Sequence, residues 1–260
     1  MLTNEQKHEF YENGFLKLEN IVPKSMIDAA KKSTNTVLGQ IAEGSVQISP
    51  KGKPKIWKEL TSKPVITDLL NKSPVFQLCE ALMGKGNVQP ATDTQLALRF
   101  PSTDTERPLD EPKPLSGHLD LGNVGGPKGG YRRFFTMHAV IYLADVPEPF
   151  SGNYTIWPKS HRFYQDYFLK HGHEVLFDGQ PKQPQPTDPI MITGKAGDVV
   201  LAHHQMVHGP APNTSPHIRY ATIFRVQHVD VEENGRDCYL DIWREFPGVR
   251  EIVKKAKLVG

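Results

Sequence analysis

His118 and Asp120 stand two residues apart, and both are metal-ligand types. On an extended strand, side chains alternate faces with a period of two, so the pair would point the same way. One further imidazole would complete a set of two histidines and one carboxylate. Such a set caps one face of an octahedral metal and leaves the other open, which suits Fe(II) oxygen chemistry outside haem. Downstream, His203, His204 and His208 all precede Arg219, so the residues alone leave the third ligand open among three histidines. A guanidinium at 219 is a fixed cation suited to gripping a carboxylate through two parallel hydrogen bonds. A His-x-Asp pair by itself is weak, and a solvated loop explains it equally well until its surroundings are read.

Those surroundings are an ordinary globular chain of 260 residues, 38 % apolar, with material for a substantial core. The formal net charge of +2 gives no sign of a nucleic-acid or other polyanion partner. No run approaches the roughly 18 apolar residues of a membrane span. The first residues have no apolar stretch of the secretory kind, and the last four match no common targeting tail. Cys79 and Cys238 are the two cysteines, too few and too far apart for a disulfide framework or thiolate metal site. A cytoplasmic setting is the expectation, with a small molecule as partner and the oligomeric state unspecified.

Helices come first along the chain. Thr3 and Gln6 form a capping box ahead of Phe10 and Tyr11, and Asn13-Gly14 stops that helix. A short strand follows at Phe15 to Leu18. Pro23 opens a second helix carrying Met26, Ile27, Ala30, Val37, Leu38 and Ile41, and a third helical stretch from Leu69 to Met83 ends at Gly84. From Val88 onward, strands dominate: Thr92 to Phe100, Phe134 to Leu143, Thr155 to Trp157, Val199 to Ala202 and Tyr220 to Val226. Pro158 to His161 reads as the close of a strand, and Asp237 to Gly260 as a strand and a short helix. The Pro-rich stretches 101–114 and 179–189 read as loops, the first a lid beside the metal pair. Helices followed by many short strands predict an α+β chain with a mainly β core, a sandwich or barrel packed on an N-terminal helical layer.

With these pieces in order, the chain resembles the phytanoyl-CoA dioxygenase-like family of Fe(II)/2-oxoglutarate oxygenases, over roughly Leu2 to Arg225. The likeness is carried by Leu2 to Gln6 through Asn13-Gly14-Phe15, Gly117-His118-Leu119-Asp120 and Tyr142-Leu143-Ala144-Asp145. It continues through Ser151-Gly152-Asn153, Trp157 to Arg162, Gly197 to Val200, His208-Gly209, Asn213-Thr214-Ser215 and Arg219. The resemblance implies one domain over 1–260 with a double-stranded β-helix (jelly-roll, cupin-like) core at about 88–230. A helical part at about 1–87 and a C-terminal extension at 231–260 flank it.

The family pattern places the distal ligand at the histidine followed directly by glycine, which selects His208 to join His118 and Asp120. His203 and His204 are then structural. Arg219 matches the position that grips the far carboxylate of 2-oxoglutarate. The implied cofactors are Fe(II), 2-oxoglutarate and O2, and the implied reaction is hydroxylation of a small molecule with release of succinate and CO2. Related halogenases replace the carboxylate ligand with a small residue; Asp120 is present, which favours hydroxylation.

Gln95 and Arg99 share a strand face and are expected near cosubstrate or substrate. Relatives place an aromatic cosubstrate contact near position 140, where this chain has Val140. Tyr142 could replace it, set against a plain core tyrosine. Arg225 shares its strand parity with Arg219 and is read either as a substrate contact or as the partner of a core carboxylate. Trp157 is read as core, and Lys128, Arg132 and Arg133 as a solvated turn. Two other readings compete: a catalytically silent, metal-binding jelly roll, and a cupin-like metalloenzyme that does not use 2-oxoglutarate. Neither requires a cation at 219.

Overall fold

The computed structural model describes residues 1–44, 55–102, 115–120, 122–123, 131–179, 181 and 187–259. Most of the lid expected at 101–114, the core of the loop at 179–189, and Lys128 lie outside these residues. The capping box forms as expected at the start of α1 (Asn4–Asn13). Gln6 N donates to Thr3 Oγ1 (3.2 Å) and Thr3 N to Gln6 Oε1 (2.9 Å), satisfying donors that a helix start leaves over. Gly14 ends it at a left-handed φ of 80°, and β1 (Phe15–Leu18) follows.

Next come α2 (Lys24–Ala42), α3 (Lys55–Thr61), α4 (Pro64–Asn71) and α5 (Pro74–Met83). The third helical stretch is therefore broken in two, because Pro74 restarts the helix with Ser73 Oγ accepting from Val75 N. The remaining strands are β2 (Gln95–Arg99), β3 (Gly122–Asn123), β4 (Tyr131–Arg132), β5 (Met137–Tyr142) and β6 (Tyr154–Ile156), then α6 (Ser160–His171). They continue with β7 (Ile190–Ile192), β8 (Val199–His203), β9 (His208–Pro210) and β10 (Arg219–Val226), and α7 (Val231–Asn234) and α8 (Pro247–Val259) close the chain. No described helix is long and apolar enough to cross a membrane.

A five-stranded antiparallel sheet runs β1-β8-β5-β10-β2, and a three-stranded one runs β7-β6-β9. The period of two assigns its faces. Ala139 and Ile141 of β5, Val199 and Leu201 of β8, and Phe224 and Val226 of β10 pack on the helical layer with Phe10, Ile27, Leu69, Leu82 and Phe246. Val140, Tyr142, Val200, Ala202 and Ala221 point the other way, onto Tyr154, Ile156 and Ile192 of the smaller sheet. The odd-numbered residues of β10, Arg219 and Arg225 among them, share that inner side.

Three expectations are corrected. Pro158 to His161 does not simply close a strand but leads into α6, whose Tyr164 and Phe168 are buried with Trp157, Leu119 and Val207. The C-terminal stretch has no strand; a 3-10 turn and α8 replace it, and Phe246 and Val249 join the main core. Arg133 is not solvated. Its side chain is 1 % exposed and pairs with Glu245 through Nη1–Oε2 (2.8 Å) and Nη2–Oε1 (2.6 Å). Thr136 and Asn234 also donate to Glu245, so the buried charge is fully paired.

The interior histidines carry a pH consequence. His203 Nε2 lies 2.8 Å from Ile242 O, and neither ring nitrogen of His204 has a hydrogen-bond partner among the described residues. Burial drives the pKa of His161, His203 and His204 down, His203 to about 4. The unfolded chain, with histidines near 6.5, then takes up protons that the folded chain refuses. Stability from these groups is complete above about pH 6.5 and is lost as pH falls, the His203 part by about pH 4. The urea midpoint should be level from about pH 8 to 7 and decline below about 6.5, less steeply in His204→Phe. A level midpoint through that window, or an unchanged slope in the variant, would contradict the assignment.

Candidate metal centre

His118 and His208 face each other across an antiparallel bridge. His118 N donates to His208 O (2.9 Å) and His208 N to His118 O (3.1 Å), an exchange that holds two residues directly opposite. Gly209 permits the approach, since a Cβ there would collide with Ser116 O. Leu119 is buried in the α6 cluster, so its neighbours His118 and Asp120 turn to the other side. The ligand atoms of His118, Asp120 and His208 all lie within 4.8 Å of one another. Asp120 Oδ1 is 3.3 Å from His118 Nε2 and 3.7 Å from His208 Nε2.

Protonation suits metal binding. Burial pushes His208 down to about 3, leaving it neutral near pH 7. Met206 O sits 3.1 Å from His208 Nδ1; as the acceptor there, it keeps the proton on Nδ1 and the lone pair on Nε2. Burial raises the Asp120 pKa, but hydrogen bonds from His118 and His138 and the charges of His138 and His208 outweigh it. The carboxylate is held far below its usual range.

The other oxygen of Asp120 is held from behind. Arg225 donates to Oδ2 from Nε (2.8 Å) and approaches it with Nη2 (2.6 Å), while its Nη1 donates to Gln95 Oε1 (3.2 Å). Arg225 thus pairs with a carboxylate, one of its two expected roles. His138 Nε2 is 3.3 Å from the same oxygen, and His138 Nδ1 is 3.1 Å from Tyr154 Oη. The Tyr154 ring stacks on His208 with centroids 5.6 Å apart.

Arg219 is buried and donates to two carbonyls, Nε to Gly152 O (2.7 Å) and Nη1 to Ala97 O (2.8 Å). Among the described residues no carboxylate pairs with it. Burial lowers its pKa to about 10, so it keeps its charge at neutral pH. Its cross-strand partner is a second cation, Arg99, and Gly152 fits between the two strands where a Cβ would lie 2.9 Å from Arg99 Cβ. One pocket is lined by Gln95, Arg99, His118, Asp120, His208, Arg219 and Arg225, together with Tyr154.

Tyr142, expected to reach the cosubstrate, is not among those lining residues. Its hydroxyl donates to Ile192 O (2.8 Å) in the smaller sheet, and burial lifts its pKa to about 12. His203 and His204 pack away from the cluster, against Trp243, Phe246 and Tyr239. Sequence reasoning placed His138 on the same strand face as Thr136, Val140 and Tyr142 without giving it a role, and missed Tyr154. His138 carried a signal, a histidine on the inward parity of a strongly apolar strand, whereas Tyr154 lay just outside the strand expected at Thr155 to Trp157 and opens the observed one.

No protein-family model matches the chain, and no curated protein matches it by sequence. Solved structures do resemble it. AviO1 from Streptomyces viridochromogenes Tue57 is 16 % identical with a TM-score of 0.54, over 89 % of this chain and 98 % of that one. The nickel complex of ThoJ, a non-heme monooxygenase, is 15 % identical with a TM-score of 0.55, over 86 % and 77 %. HygX from Streptomyces hygroscopicus, solved with nickel and 2-oxoglutarate bound, is 15 % identical with a TM-score of 0.51, over 88 % of each chain. At these identities the likeness shows a shared fold.

Proposed function

We propose that this chain is an Fe(II)- and 2-oxoglutarate-dependent oxygenase of the phytanoyl-CoA dioxygenase-like kind. In this reading, residues 1–260 form one domain and the two facing sheets are the halves of a double-stranded β-helix. One juxtaposition carries the proposal: a buried guanidinium with no carboxylate partner among the described residues stands beside a cluster of two histidines and one carboxylate. A buried arginine calls for an anion, and 2-oxoglutarate supplies one carboxylate for Arg219 and a 2-oxoacid end for a metal. HygX, of like fold, was solved with that cosubstrate and nickel bound.

The donor set fits the metal. Two imidazoles, that of His208 neutral, and an ionised carboxylate oxygen converge, and three protein ligands leave the remaining positions of an octahedral ion open. With iron, 2-oxoglutarate and O2 bound, the centre supplies oxidative decarboxylation to succinate and CO2 coupled to hydroxylation of an unactivated C–H bond. His118, Asp120 and His208 hold the ion, and Met206 O keeps the His208 lone pair directed inward. Arg225 and His138 occupy the second oxygen of Asp120, turning the first toward the histidines. Arg219 fixes the far carboxylate, with Arg99 adding positive charge beside it. The presence of Asp120 favours hydroxylation over halogenation.

The test is succinate formation from 2-oxoglutarate by the iron-loaded protein with ascorbate. Succinate above the metal-free control is expected, increasing when a substrate is supplied. No succinate, together with no binding of 2-oxoglutarate to the iron-loaded protein, would overturn the reading.

A further inference from the structure

Beside the metal pocket lies a second cavity of about 760 Å³. Gln95, Ile223 and Arg225 belong to the walls of both, so the larger space adjoins the cluster across these side chains. Trp57 of α3 and Phe134, just before β5, supply aromatic walls.

The inner charge of this cavity is already paired. Arg225, at the junction, is committed to Asp120 and Gln95. Among the described lining residues the other charged side chains are Lys58 and Asp93, one of each sign and both exposed. Among the described residues, the unused buried hydrogen-bonding capacity belongs to neutral groups. Thr94 Oγ1 is buried without a partner. Gln95 uses its oxygen on Arg225, and Gln227 uses its amide nitrogen on Phe134 O (3.0 Å). This leaves a hydroxyl, the Gln95 amide donor and the Gln227 carbonyl acceptor.

We infer that this cavity is the substrate chamber and that it takes an uncharged, ring-bearing molecule carrying hydroxyl or amide groups. The inference rests on the metal-centre reading, since the chamber matters for chemistry only if the adjoining cluster holds the metal. A hydroxyl or amide both donates and accepts, which matches the three free groups. A ring covers Trp57 and Phe134, burying apolar area on their faces. A phosphate or carboxylate entering here would meet one inner cation, Arg225, and would have to draw it from Asp120. Breaking that pair strips a metal-binding carboxylate of its charge-assisted hydrogen bonds, so the chamber discriminates against anions.

Ligand-observed NMR on the nickel- and 2-oxoglutarate-loaded protein tests this with matched trios. Each trio shares one ring, pyranose, cyclohexane or pyridine, and its members bear a hydroxyl or amide, a carboxylate, or a phosphate. The neutral members are expected to bind in the millimolar range, about tenfold or more tighter than the anions. The double variant Thr94→Val with Gln227→Leu should weaken the neutral members about tenfold, as loss of two hydrogen bonds predicts. Equal or tighter binding of the anions, binding of no member, or indifference to the double variant would overturn the inference. Nickel and 2-oxoglutarate affinities, measured calorimetrically on the same samples, report on the metal centre alone and so separate its failure from that of the chamber.

Discussion

Replacing Arg219 by alanine is expected to weaken 2-oxoglutarate binding by roughly thirty-fold to several-thousand-fold, a loss of about 2–5 kcal/mol. Metal content should stay at the wild-type level. The size follows from burial: Arg219 is 3 % exposed, and the carboxylate it would hold gives up water to reach it. A lysine at 219 keeps the charge but not the planar fork, so Arg219→Lys should fall between alanine and wild type. Calorimetric titration of the metal-loaded variants measures both. Unchanged affinity in Arg219→Ala would move the anchor to Arg99, its cross-strand neighbour.

The largest effect on stability is expected at a position with no part in the chemistry. Arg133→Ala would strand Glu245, 2 % exposed, with its charge unpaired in the interior. Removing one partner of a buried pair costs about 3–5 kcal/mol, a large fraction of a stability of about 5–15 kcal/mol. Replacing both, Arg133→Met with Glu245→Leu, should recover much of that loss, because no charge is then left unpaired. Urea unfolding of the three proteins gives the comparison. A single variant as stable as wild type would show that the pair contributes little.

The contrast between these two arginines shows what a sequence can and cannot reveal. Arg219 was legible as an inward-facing cation because its strand's parity is read directly from its apolar residues, while the role given to it comes from the family resemblance. Asp120 and His118 were legible for the same reason, a spacing of two on extended chain. Arg133 was not, since its partner lies 112 residues away and an Arg132-Arg133 doublet looks like surface until the chain has folded. His138 fell between these cases, its inward parity legible but its approach to Asp120 not, and Tyr154 reaches the cluster through strand pairing that no local pattern records. The helix α6 was missed because it lacks a side-chain cap and enters through a left-handed Lys159. The helical layer was foreseen, but α8 completes it from the far end of the chain, a contact between termini that periodicity cannot encode.

Anaerobic equilibrium dialysis of Fe(II) against wild type, His208→Ala and His204→Ala tests the metal centre most directly. His208 Nε2 converges with His118 and Asp120, whereas His204 packs against His203 with centroids 4.2 Å apart, away from the cluster. Wild type and His204→Ala are expected to bind one iron per chain, and His208→Ala to bind none at concentrations that saturate the others. Retention of iron by His208→Ala, or its loss from a folded His204→Ala, would contradict the assignment.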